Sequence, residues 1–244
     1  TPHLHQHNFW ELCFFFDGFG EHIIDFCSYD IQPQSLMIIK PQQIHHIQKS
    51  THLNGYFVMF EKQILNQFMT SANALALSNM LQLHPMPISK SLDITLSTLI
   101  HFFYQKKSYS QQQVYTSLKL LILEIENHLS ISKQRFFPTI ITTFFYYLND
   151  SIRCFHSVKS IAKQCGASPN YLNECLKKYT QKNAKSWIFD ALLINSQREL
   201  ATTDKSISKI AFDLGFYDSA NFCRFFKSKT DLSPLNWRKQ FSLL

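Results

Sequence analysis

The chain has 244 residues, 45% of them hydrophobic, which is enough for one large domain or two modest ones and too apolar for a disordered chain. Five glycines disfavour a glycine-rich nucleotide loop, and no apolar run reaches the roughly 18 residues that suggest a membrane span. The net charge of +7 lies in one half: residues 1–134 hold eight lysines and arginines against nine acids, whereas 135–244 hold sixteen against eight. Such asymmetry points to a polyanionic partner, nucleic acid first, or else to an ordinary basic surface. Ten of the eleven histidines fall in residues 1–134, so the two halves differ in chemistry. The six cysteines, Cys13, Cys27, Cys154, Cys165, Cys175 and Cys223, form no CxxC pair. They read as buried thiols of a reducing cytoplasm. No signal peptide is visible from Thr1 onward.

Residues 9–60 read as β structure. The apolar run 9–16 ends at Asp17-Gly18, a turn signal, and an extended pattern resumes over 22–26. Further strand candidates are 29–31, 36–39 and 55–60, punctuated by Pro33 and Pro41. Short strands with close turns suggest a small barrel or sandwich, with Phe14, Phe15, Phe16, Phe26, Phe57 and Phe60 mostly in its core. His5 and His7 would point to one face of a strand, and Glu11 shares their parity. With His45, which follows Pro41, they could hold a divalent metal, border an organic effector pocket or be structural.

The period changes near residue 61, where Ile64, Leu65 and Phe68 share a helical face. Pro85 and Pro87 interrupt the chain, and helical spacing returns over 92–104 and 111–129. Leu118, Leu121, Ile122, Ile125 and Leu129 form a stripe, readable as core or as a dimer seam. After the polar stretch 130–134 a new helix begins at Pro138, and the rest reads as helical with turns at Gly166, Asp204 and Gly215. The expected domains are therefore 1–85, 86–134 and 135–244.

The last of these carries one pattern twice, at 157–178 and 206–227. A short helix containing Ile161-Ala162 or Ile210-Ala211 admits a close crossing through its alanine. Gly166 or Gly215 then allows a tight turn. Ser168 or Asp218 can cap the next helix, and Pro169 suits a first turn. That helix buries Tyr171, Leu172 and Leu176, or Phe222, Phe225 and Phe226, and leaves a polar face suited to a major groove. Residues 187–201 read as a connecting helix of roughly 22 Å at ~1.5 Å per residue. Such a helix could set two recognition helices in grooves about 34 Å apart.

Residues 138–238 resemble the DNA-binding domain of the AraC/XylS family of transcription regulators. The most specific stretch is 204–238, with Ser206-Ile-Ser-Lys-Ile-Ala-Phe-Asp-Leu-Gly215, Leu232-Ser233-Pro234 and Trp237-Arg238. The family usually carries glycine where this chain has Asp231. The segments around His5, His7, Glu11, Gly18, Pro41 and His45 resemble the cupin barrel of many such regulators and the ligand spacing of metal-binding cupins.

The resemblance implies an α+β protein: an N-terminal small cupin-like β-barrel plus helices, and a C-terminal all-α domain with two helix-turn-helix units. It implies base contacts from Asn170, Asn173 and Glu174 in the first recognition helix and from Ser219, Ala220 and Arg224 in the second. Asn can pair with adenine, Glu can accept from cytosine, and Arg can take guanine O6 and N7. Lys177, Lys178, Lys227 and Lys229 would meet phosphates.

The expected partners are double-stranded promoter DNA, RNA polymerase for an activator, and a second copy in a homodimer, with no membrane. No cofactor is required. A small-molecule effector is the favoured occupant of the barrel, and metal is disfavoured. A regulator is expected rather than an enzyme; a metal-dependent cupin enzyme and a protein-binding scaffold are the alternatives.

Overall fold

The computed structural model describes residues 4–66, 85–105, 110–133, 138–150 and 157–242. The chain divides into two compact units, residues 1–136 and 137–244. Phe68 and the expected boundary at residue 134 lie outside the described residues, as does the side chain of Leu129.

The first unit is built on the long strand β1 (Phe9–Ile24). One edge of β1 pairs with β3 (Ser35–Ile39) through residues 11–15 and with β2 (Cys27–Ile31) through residues 20–24. The other edge pairs with β4 (His45–Glu61), which runs into the short helix α1 (Lys62–Asn66), and β5 (Met86–Pro87) adds to β3. All pairings are antiparallel.

Alternation along β1 sorts its side chains between two buried clusters. Trp10, Leu12 and Phe14, with Leu36, Ile38 and Phe60, meet Leu92, Leu96 and Leu99 of α2 (Lys90–Tyr104) and Leu118, Leu121, Ile122 and Ile125 of α3 (Ser110–Lys133). Cys13, Phe15, Ile24, Ile31, Met37 and Ile39 form the second cluster, with Ile47 and Leu53 packed against it. These residues all come from the sheet, so the sheet curls over on itself. Register shifts between β1 and β4 at Phe15/Asp17, Asp17/Phe19 and Phe19/Glu21 provide the extra twist. The unit is an α+β half-barrel, as the sequence suggests.

Two expectations change. No turn forms at Asp17-Gly18; Gly18, at φ 91°, is absorbed within β1 opposite β4. The chain reverses instead at Asp25-Phe26, whose φ angles of 47° and 66° suit a two-residue hairpin loop. β4 begins at His45 rather than near residue 55, because Lys49 and His52, at φ 49° and 48°, break its alternation and hide its first half from a period-two reading. The α3 stripe, readable as core or as a seam, takes the first reading. Leu118, Leu121, Ile122 and Ile125 are at most 7% exposed within this single unit. They are core, and no dimer seam can use them.

The second unit runs from α4 (Thr139–Asp150) through α5 (Val158–Gln164), α6 (Pro169–Thr180), α7 (Ala184–Thr202), α8 (Ile207–Asp213), α9 (Ser219–Thr230) and α10 (Pro234–Phe241). Ser157, Ser168 and Asn183 cap α5, α6 and α7, each accepting from the backbone N–H three residues on. Ser206, Asp218 and Ser233 cap α8, α9 and α10 in the same way. The repeat therefore extends to a third helix, which carries Trp187 in one copy and Trp237 in the other.

Each hairpin turns on a glycine in the left-handed region, Gly166 at φ 64° and Gly215 at φ 78°. The two glycine N–H groups donate to Lys163 and Phe212, and the next residues donate to Ala162 and Ala211. Tyr217 adds one residue to the second turn before Asp218 caps α9. No helix among the described residues is long and apolar enough to cross a membrane.

Both α6 and α9 end on a left-handed non-glycine residue, Gln181 at φ 61° and Asp231 at φ 59°. Glycine enters this region without the Cβ penalty. Asp231→Gly should therefore stabilise the second unit by about 0.5 kcal/mol, the relieved strain exceeding the entropy added to the unfolded chain. Chemical unfolding checks this, and a loss of stability would show that Asp231 makes a compensating contact.

Candidate nucleic-acid interface and sensor site

Helices α6 and α9 become comparable when aligned on their caps. The second residue of each helix is Asn170 or Ala220, the third Tyr171 or Asn221, the sixth Glu174 or Arg224, and the ninth Lys177 or Lys227. All eight are exposed and spaced to share one helical stripe. The opposite face is buried, through Leu172 and Leu176 in α6 and Phe222 and Phe226 in α9. Each hairpin thus presents a short polar ridge on a rigid apolar base.

The expected base-reading residues divide. Asn170, Glu174, Ala220 and Arg224 stand on the stripe. Asn173 is half-buried, and its Oδ1 accepts from the Ala184 backbone N–H at 3.0 Å, joining α6 to the start of α7. Ser219 is half-buried at the first position of α9. Tyr171 and Asn221 take their places on the stripe, and sequence spacing alone misses both. For Asn221 the signal was the longer second turn: a repeat of 49 at Ser157/Ser206 becomes 50 at Ser168/Asp218, which the caps reveal.

Asn221 also organises its neighbours. Its side chain donates to Asp218 Oδ2 at 2.9 Å and accepts from Arg224 Nη2 at 2.7 Å. The Asp218 cap thus holds Asn221, which holds the guanidinium.

Lys177, Lys178, Lys227 and Lys229 are all exposed. Lys229 also lines an open cleft of about 380 Å³ with Lys182, Lys185, Asn183, Ser186 and Phe189. Asp190 borders this cleft and pairs with Lys182 at 3.0 Å. Arg238, Lys205 and Lys209 serve the fold instead. Arg238 donates to the carbonyls of Leu200 and Lys205 at 3.2 and 2.7 Å, tying α10 to the end of α7. Lys205 and Lys209 bind Asp213 and hold its carboxyl below the usual range, with the hydrogen bond from Lys209 the largest cause.

In the first unit His5, His7, Glu11 and His45 do come together. His5 and His45 exchange backbone hydrogen bonds at 3.1 and 2.8 Å, and their rings lie 4.3 Å apart. Glu11 Oε2 lies 2.8 Å from His7 Nε2 and 3.3 Å from His45 Nε2. Burial alone would raise the Glu11 carboxyl, but the hydrogen bonds from His45 and His7 outweigh it and hold the group well below the carboxylate range. Glu11 faces the same side as Cys13, whose thiol is pushed up by burial and by that carboxylate.

The support for His45 was not legible in the sequence. Asp25, in the β1–β2 turn, accepts from the Gln43 side chain at 2.7 Å and from the Ile44 N–H at 3.3 Å, pinning the segment that delivers His45. Buried His22 adds a ring 5.6 Å from that of His45.

Residues 2–125 match the family described as the AraC-like ligand binding domain, which covers half of the chain. The chain belongs to the AraC/XylS family of transcription regulators. Residues 161–240 match the family described as a helix-turn-helix domain, and this stretch includes both hairpin ridges. Relatives within this AraC-type group include the regulatory protein SoxS of Salmonella typhimurium, 29% identical over 99 residues, 41% of this chain and 92% of SoxS. The regulatory protein PocR of the same organism is 27% identical over 96 residues, 39% of this chain and 30% of PocR. The match therefore spans under a third of PocR's own length. Among solved structures, ToxT from Vibrio cholerae aligns over 97% of this chain and 91% of its own, at 15% identity and a TM-score of 0.48.

Proposed function

We propose that the chain is a sequence-specific DNA-binding regulator, without enzymatic activity, that reads two successive major grooves through the ridges of α6 and α9. The carrying observation is the pair of equivalent exposed stripes, 170/171/174/177 and 220/221/224/227, on the half of the chain with all the excess positive charge. Arg224 is the principal base reader, and Lys177, Lys178, Lys227 and Lys229, joined by Lys182 and Lys185, meet phosphates. The acidic Glu174 in the first ridge, where α9 has Arg224, makes the first contact weaker or narrower than the second.

Residues 1–136 sense a small effector, and its binding shifts the population of DNA-competent molecules. Work in the cytoplasm, activation through RNA polymerase and binding as a homodimer complete the reading, as the regulators it resembles suggest.

The test is selection from a random duplex library by the full chain at two salt concentrations. Enrichment of a site with two half-elements about 10 base pairs apart is the expected result. Salt-sensitive binding with no enriched sequence would reduce the second unit to a nonspecific basic domain.

A further inference from the structure

We propose that His5, His7 and His45, with Glu11 as fourth donor, form a binding site for a first-row divalent transition metal ion, with Zn²⁺ the representative occupant. The sequence alone disfavours metal here. The geometry argues for it, on grounds independent of the DNA-binding reading.

One ligand atom from each of the three imidazoles lies within 4.8 Å of the other two. A tetrahedral Zn²⁺ with Zn–N bonds near 2.0–2.1 Å sets its ligand atoms about 3.4 Å apart, so side-chain adjustments of roughly 1 Å close the site. The donor set selects the metal. Three imidazoles suit Zn²⁺, Ni²⁺ or Cu²⁺, whereas Ca²⁺ and Mg²⁺ take oxygen ligands.

Hydrogen bonding carries the argument further. His7 Nδ1 lies 2.9 Å from the Phe9 carbonyl, and His45 Nδ1 lies 3.1 Å from the Gln43 carbonyl. A carbonyl only accepts, so each Nδ1 carries the proton and donates it. In the neutral ring this leaves the lone pair on Nε2. Those two Nε2 atoms converge on a third acceptor, Glu11 Oε2, at 2.8 and 3.3 Å. Where Nε2 is protonated it donates to the carboxylate; where it is not, the two lone pairs and the carboxylate oxygen converge on one point, and a single divalent cation satisfies all three. A backbone carbonyl that fixes the far nitrogen is the usual orienting partner of a metal-bound histidine.

The donors are also held before any ion arrives. The His7 ring stacks on Phe9 at 3.8 Å, nearly parallel at 4°. His5 and His45 are joined by their backbone pair, and Asp25 clamps residues 43 and 44. His45 and Glu11 are 3% and 8% exposed, so water competes weakly.

The experiment uses the untagged full chain, stripped with chelator and titrated with Zn²⁺ against a chromogenic chelator. Co²⁺ and X-ray absorption serve as probes of the ligand shell. About one ion per chain is expected, in a nitrogen- and oxygen-rich shell, with the visible absorption of tetrahedral Co²⁺. His5→Ala and His7→Ala should each weaken binding at least tenfold while leaving the circular dichroism spectrum unchanged, and Glu11→Gln should weaken it less. Wild-type binding no stronger than that of a His5→Ala/His7→Ala double variant would overturn the site. So would a sulfur-rich shell, which would mark capture by cysteines.

Discussion

Phe226→Ala should destabilise the second unit by about 3–5 kcal/mol, the range for emptying a well-packed aromatic site. Phe226 is fully buried at the centre of the second hairpin, its ring 5.8 Å from that of Phe222 and 5.7 Å from that of Trp237. Phe222 in turn meets Phe216 edge-on just after the Gly215 turn, so the Phe216–Phe222–Phe226–Trp237 chain of rings braces the turn, α9 and α10 together. A backbone fixed by caps and a Schellman turn cannot collapse readily into the void. Since a domain of this size holds roughly 5–15 kcal/mol in all, this loss removes a large share of its stability, and the variant should unfold and lose DNA affinity at a markedly lower temperature. Phe212→Ala is the contrast: that ring is 72% exposed at the end of α8, and its removal should change stability by no more than about 0.5 kcal/mol. Urea titration followed by circular dichroism distinguishes the two. A loss below 1 kcal/mol for Phe226→Ala would mean that its neighbours refill the site.

The different legibility of the two units has a physical cause. In residues 157–241 each local rule acts in sequence order: a capping side chain, a short helix, a glycine turn, another cap. The helices, both turns and the buried residues Ile161, Ala162, Ile210 and Ala211 are visible without tertiary information. What the spacing hid was one residue, Tyr217, which is 97% exposed and leaves no apolar signature. Its insertion displaces the α9 register by one position relative to α6, so Ser219 was expected on the ridge that Ala220 and Asn221 occupy, whereas Asn173 leaves the α6 ridge for a tertiary contact with the Ala184 N–H.

In the first unit the strands pair across distance, and bulges erase the period-two signal. Gly18 looked like a hairpin turn because Asp-Gly commonly makes one, yet a long partner strand absorbs it. The convergence of His5, His7 and Glu11 could be read from their shared parity, although His5 and His7 lie just ahead of β1. The clamp of Asp25 on the loop before His45 could not, because it joins residues 18 and 19 positions apart with no motif between them.

Arg224→Ala should cost about 1–3 kcal/mol of discrimination at a single base position, roughly 5- to 150-fold. The guanidinium stands exposed in the middle of the α9 ridge, and Asn221 orients it from below at 2.7 Å. Two planar donors presented in a fixed direction match guanine O6 and N7, and orientation before binding reduces the rotamer entropy lost on contact. The variant should fold normally, since the Arg224 side chain lies outside the buried core. Lys227→Ala, one turn further on, should weaken binding to all sequences alike and lower the salt slope by about 1. Asn221→Ala separates orientation from direct reading: it should blunt the preference at the position that Arg224 reads and create no change elsewhere. If Asn221→Ala instead shifts preference at a neighbouring base, Asn221 itself reads that base. If Arg224→Ala leaves every base preference intact, the guanidinium contacts phosphate, and specificity in the second half-element must come from Ala220, Asn221 or the shape of the DNA.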